Sequence, residues 1–201
     1  MRYSRPSLTR IGDRTKVGAS RARALFLTAL LASSLLSPAR SRAAGDEERR
    51  VEAGLKIFRA LLAADLDLKR KATPDGRLLV VFFFTDDPRS AEEDGRAFGK
   101  LELATELAAT SDPKFSSFDR RVPAGIFLAQ APSPKALRDV VDFGISHHVI
   151  VYSPFEGHVE SGVLGGLSIE AQVRPYVNLT TLRESKIQVR DFFLKVAKVC
   201  R

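Results

Sequence analysis

Leu78-Leu79-Val80-Val81-Phe82-Phe83-Phe84 is seven apolar residues without a polar break. A run this short and this uniform reads as a strand covered on both faces, the kind found inside a parallel sheet. The rest of the chain agrees with that reading. Ala124–Ala129 and Val149–Tyr152 are two further short apolar strands. Helical periods separate them. Asp46–Ala64 places Val51, Leu55, Phe58 and Leu62 on one stripe, with acidic groups in its first turn. Ser90 with Glu93 three residues later reads as a capping box opening a helix to about Thr110, with Phe98, Leu101 and Leu107 inward. Ser133 with Pro134 opens another helix, whose Leu137, Val140 and Val141 face inward. Between them, Ser111–Arg121 is turn-rich, with Phe115 and Phe118 as anchors.

The last quarter carries two periods in succession. Leu167, Ile169, Ala171 and Val173 alternate with Ser168, Glu170, Gln172 and Arg174, which predicts a strand with one buried face. Val189, Phe192, Phe193, Val196 and Val199 then recur at helical spacing, which predicts a terminal helix docked by that stripe. Gly165-Gly166 reads as a hairpin turn or bulge, and Asn178–Ser185 as a polar connection set off by Pro175. The element order predicts an α/β fold. It is a single compact three-layer domain with a mostly parallel sheet, an antiparallel C-terminal edge and helices on both faces.

The formal charge of +8 is confined to the first segment. Residues 1–43 hold nine basic residues against Asp13 alone, so residues 44–201 carry 23 of each sign and are neutral. A neutral domain has no overall pull on phosphate backbones, so nucleic acid is not an expected partner. Ala24–Leu36 is an apolar run of signal-peptide length behind a basic segment, and Ser41-Arg42-Ala43 supplies small residues where a peptidase reads. Residues 1–43 are therefore read as a secretory signal peptide cleaved near Ala43, which leaves 44–201 as an exported α/β domain. No later stretch is apolar for long enough to span a bilayer, so no membrane insertion is expected after cleavage.

Cys200 is the only cysteine, so no disulfide forms within one chain. It reads as a small apolar residue on the terminal helix, with a bond to a second copy, and so a homodimer, left open. In an open α/β sheet, ligands bind at the carboxyl ends of the strands. Those ends offer Thr85, Asp86 and Asp87, then Gln130, then Ser153, Phe155, Glu156 and His158. Asp86 and Asp87 suit a cation or amine, or alternatively a turn and cap. Phe155, Glu156 and His158 are candidates for ligand or partner contact. His147 and His148 are adjacent, and His158 adds a two-His possibility, but the spacing fits no zinc pattern. No Gly-x-Ser-x-Gly elbow is present, and Ser90, Ser133 and Ser153 are explained by caps and turns. No catalytic residue, metal or cofactor is assigned.

Gly165-Gly166 opening a strand, Tyr176-Val177-Asn178-Leu179 after it, and Leu182-Arg-Glu-Ser185-Lys-Ile leading into Phe193-Leu-Lys-Val-Ala-Lys-Val199 resemble the finish of the YfiR-like (YfiR/HmsC) family of bacterial periplasmic proteins. Leu79-Val-Val-Phe-Phe with Asp87-Pro88 behind it resembles the family's first strand and turn. The resemblance covers roughly Val51–Val199. It implies a non-enzymatic periplasmic regulator. Its partner would be the periplasmic domain of an inner-membrane diguanylate cyclase, repressed so that cyclic-di-GMP and biofilm formation fall. The chain departs from the family in having no cysteine pair and no Trp. The alternative expectation is a periplasmic small-ligand (solute) binding protein.

Overall fold

The computed structural model describes residues 38–101, 103–118 and 120–201, with side chains from Gly45 onward. The leader read over 1–43, and its cleavage near Ala43, lie outside that description apart from the helical backbone of 38–43. The fold below is that of the compact unit Ala44–Arg201.

Seven strands form one sheet. They are β1 (Leu78–Phe83), β2 (Thr105–Thr110), β3 (Gly125–Leu128), β4 (Ile150–Ser153), β5 (Gly165–Ile169), β6 (Val173–Asn178) and β7 (Lys198–Cys200). Their spatial order is β2-β1-β3-β4-β5-β6-β7. The first five run parallel, β5 and β6 form the one antiparallel pair, and β7 returns parallel to β6. Strand order reverses at β1, so the β1/β3 boundary is the switch point of a doubly wound sheet. The α-helices among the described residues are α1 (Pro38–Ala64), α2 (Pro88–Gly99), α3 (Pro134–His147), α4 (Leu179–Glu184) and α5 (Asp191–Val196).

All six residues of β1 are buried, as its unbroken apolar run requires. The side chains of β1, β3 and β4 feed two cores, which makes the domain three-layered. On one face, Val80, Phe82, Phe127 and Tyr152 meet Leu55, Phe58, Leu61 and Leu62 of α1, together with Phe98 of α2 and Phe193 of α5. Phe58 is the hub: its ring centroid lies 5.5 Å from Phe98, 5.6 Å from Phe127 and 5.5 Å from Tyr152. On the other face, Val81, Phe83, Ile126 and Val151 meet Leu137, Val140 and Phe143 of α3, with Phe115 closing the end. Ser133 caps α3 by accepting the Ala136 N–H at 3.3 Å, as its sequence predicts.

Five expectations are corrected. The cap of α2 is Asp87, whose carboxylate accepts the Arg89 N–H at 3.1 Å, while the Ser90 hydroxyl donates back to the Asp87 carbonyl at 2.8 Å. Pro88 has no N–H to satisfy, so a cap one residue before it leaves one fewer orphaned N–H in the first turn. That helix stops at Gly99, and Thr105–Thr110 becomes β2, because the free edge of β1 offers it six register partners. The alternation from Leu167 to Val173 is two strands with a turn between them, so Ile169 pairs with Val173 across the hairpin and both are half-exposed. Gly165 and Gly166 lie inside β5 rather than at the turn. The terminal stripe is a six-residue helix followed by β7, with Phe193 buried and Phe192, Val196 and Val199 exposed.

Candidate binding groove at the carboxyl edge of the sheet

Because β1, β3 and β4 are parallel, their carboxyl ends bring Thr85–Asp87, Gln130 and Ser153–His158 to one edge of the sheet. The two outer clusters do different things there. At the switch point, the N–H groups of Thr85, Asp86 and Asp87 point at Gln130 Oε1, at 2.8, 3.2 and 3.4 Å. The Thr85 hydroxyl lies 2.9 Å from the same oxygen and 3.1 Å from Asp86 Oδ1, and its one proton serves one of them at a time. A side-chain amide therefore fills the crevice that other doubly wound folds leave to a ligand. Asp87 is occupied as a cap. The Arg89 N–H, then its guanidinium at 3.2 Å, hold the Asp87 carboxyl below the usual carboxylate range.

The β4 end is built differently. Ser153 is fully buried, and its Oγ accepts the Phe155 N–H at 3.1 Å and lies 2.8 Å from His158 Nδ1. His158 is half-buried, and burial lowers its pKa. Its ring rests against Phe155 at 5.6 Å. The serine–histidine pair thus pins the Ser153–His158 loop. A hydroxyl with no exposed surface, already accepting a backbone N–H, is closed to substrate.

Helix α1 lies against this loop through two residues. Arg50 Nε donates to the Pro154 carbonyl at 2.5 Å. Gly54 lets the helix approach, since a Cβ there would lie 3.2 Å from Pro154 Cβ and 3.4 Å from both Leu167 Cδ2 and Tyr152 Cε1. Beneath them the Tyr152 hydroxyl is buried without a hydrogen-bond partner among the described residues, and burial pushes its pKa well above the ordinary range.

An open groove of ≈ 740 Å³ results. Asp46, Glu47, Arg49, Arg50 and Ala53 of α1 form one wall, Phe155 and Glu156 the floor, and Ile169 and Val173 of the hairpin the other wall. A recess of ≈ 150 Å³ adjoins it and shares Arg50, Phe155, Glu156 and Ile169. Of the residues expected at a site, the structure brings Phe155 and Glu156 into this groove. His158 lies behind Phe155, lining a separate hollow with Leu137 and Arg138. Asp86 and Asp87 stand apart at the β1 end. Arg50, Ile169 and Val173 were not legible as site residues. The hairpin pair was hidden by an alternation that assigned it to the core.

The remaining histidines sit at the opposite edge. His147 ends α3, its ring stacked on Phe143 at 4.2 Å. His148 takes a left-handed conformation (φ 58°) and its Nδ1 lies 2.7 Å from the Ser185 carbonyl oxygen. They line a cavity of ≈ 520 Å³ with Asp65, Lys71 and Lys186. There Lys71 Nζ donates to the buried Asp65 carboxylate at 2.7 Å and to the His148 carbonyl at 2.8 Å. The length of β4 separates these histidines from His158, so the two-His site is not formed. Among the described residues no three of His, Cys, Asp and Glu form a metal ligand set.

No protein-family model and no curated protein sequence matches this chain. Solved structures do. A conserved domain protein from Vibrio cholerae aligns with TM-score 0.53 at 11% identity, over 75% of this chain and 60% of that one. The ABC domain in complex with L-Trp from Streptococcus pneumonia aligns with TM-score 0.47 at 15% identity, over 70% of this chain and 62% of that one. The chain therefore spans about three fifths of each of these structures, and what the Vibrio cholerae likeness establishes is a shared α/β fold.

Proposed function

We propose that this chain is an exported, non-enzymatic regulatory protein of the YfiR-like kind. It binds the periplasmic domain of an inner-membrane diguanylate cyclase, holds it inactive and so lowers cyclic-di-GMP and biofilm formation. The observation that carries the reading is the mouth of the α1–hairpin groove. Ile169 and Val173, 51% and 49% exposed, stand there as an uncovered apolar pair beside Phe155. Charged residues of both signs surround them, which is the composition of a protein-binding patch with an apolar centre and a polar rim. Binding one state of a partner more tightly than the other shifts that partner's equilibrium, and repression needs nothing further. The test is a deletion strain complemented either with the parent or with Ile169→Asp/Val173→Asp. The parent is expected to restore low cyclic-di-GMP. The variant is expected to accumulate with an unchanged melting temperature and fail to restore it. Full restoration by the variant would remove the groove mouth from the interface.

A second reading, a solute-binding protein, is favoured by one observation. The groove volume falls within the ~300–1,000 Å³ typical of ligand sites, and Arg50, a residue type suited to carboxylates, lines it and is anchored through Nε. A thermal-shift screen separates the two: a solute that raises the parent's melting temperature but not that of Arg50→Gln supports this reading.

A further inference from the structure

We propose that α5 and β7 form a face that docks on an anionic lipid bilayer. It lies apart from the groove and does not depend on the function proposed above. Among the described residues, eight large apolar side chains are exposed, and three of them fall between positions 192 and 199. Phe192 is 62% exposed, Val196 59% and Val199 45%. Phe192 and Val196 are one helical turn apart on α5, and so share a side. They are outside because the helix buries only Phe193 and then ends: Ala197 is extended (φ −79°, ψ 144°) and the chain turns into β7.

Arg190, Lys195 and Arg201, all exposed, flank these side chains along the chain, with Asp191 as the acidic residue between positions 190 and 201. Lys198 points to the other side of β7 from Val199, where it is tied to Glu170 at 3.0 Å and sits over the Tyr176 ring at 4.9 Å, so it adds nothing to this face. Over residues 44–201 the charges cancel, so this strip is a local concentration of positive charge. Its sign decides what it can meet. A second copy of the same face would set cation against cation. Its shape narrows the choice further. Phe192, Val196 and Val199 line none of the grooves described above but protrude. Protruding apolar side chains flanked by cations match a bilayer interface, where the apolar groups enter the acyl boundary and the cations meet phosphates. An acidic protein would meet the cations but would have to supply a pocket for each protruding side chain.

The chain has no tryptophan, so Phe192→Trp places a single fluorophore on the proposed contact. The purified protein is titrated with vesicles of phosphatidylcholine alone and of phosphatidylcholine with phosphatidylglycerol. Emission is expected to shift to the blue, and to be quenched by brominated acyl chains, with the anionic vesicles only. In the same reporter chain, Lys195→Gln and Arg201→Gln should each weaken the partition about fivefold, and added salt should weaken it further. An unchanged urea midpoint for every variant shows that the fold is intact. Emission unmoved by anionic vesicles overturns the proposal. So does an equal response to neutral vesicles. A shift produced by polyglutamate but not by vesicles would also overturn it and assign the face to an acidic protein. Because the reporter sits at position 192, vesicle binding through the leader leaves its emission unmoved.

Discussion

Gly166 shows how little room the sheet leaves at its antiparallel edge. A Cβ there would lie 2.5 Å from Val159 Cγ2 and 2.9 Å from the Ser153 carbonyl oxygen, and the second contact is backbone that cannot step aside. Gly166→Ala is therefore expected to lower stability by about 1–3 kcal/mol in urea unfolding. A second residue makes stability depend on pH. Asp94 on α2 is half-buried, and burial, with a smaller contribution from Glu93, raises its carboxyl pKa to about 7. The folded pKa lies above the unfolded one, so the unfolded chain releases this proton first. The resulting penalty begins as pH rises past the ordinary carboxylate range and is complete above about pH 7. Asp94→Asn should raise the melting temperature at pH 8 and leave it nearly unchanged at the acid end of that range. A gain of equal size at both pH values would contradict the assignment.

Among the elements, the ones legible in the sequence are those whose partners are close in sequence or whose burial is complete. The β1 run, the Ser133 cap and the α1 stripe through Leu55, Phe58 and Leu62 are all of this kind. The elements that were missed lie at open sheet edges. Thr105–Thr110 and Lys198–Cys200 are strands because β1 and β6 have unpaired backbone beside them, which no local period reports. Val189 fits the helical stripe, yet it is drawn into a bridge with Asp65. Asn178, read as part of a polar connection, is instead a buried junction. Its Oδ1 accepts the N–H groups of Thr180 and Thr181, each at 3.0 Å, and its Nδ2 donates to the Val159 carbonyl at 2.9 Å. Replacing it with Ala removes a helix cap and one of the two donors to the Val159 carbonyl, which keeps the Gly162 N–H at 3.2 Å, at a cost of about 1–3 kcal/mol. A urea midpoint within experimental error of the parent's would contradict that role.

At the scale of the molecule, the buried residues among those that carry the YfiR-like resemblance build the fold rather than the groove. Gly165, Gly166, Asn178, Leu182, Ser185 and Phe193 are all buried. The groove is made by α1, the Ser153–His158 loop and the tip of the β5–β6 hairpin. Phe155 and Glu156 were legible there because the carboxyl ends of parallel strands are where sites form. Ile169 and Val173 were not, because a two-residue period cannot distinguish one strand from two joined by a turn. The proposed function has this domain restrain a cyclase from the periplasm. The most direct measurement is cyclic-di-GMP in a deletion strain beside its parent, complemented with the full chain or with one lacking residues 1–43. A rise on deletion that the full chain reverses and the leaderless chain does not is expected. Equal cyclic-di-GMP in deletion and parent across several growth conditions, or full reversal by the leaderless chain, would contradict it.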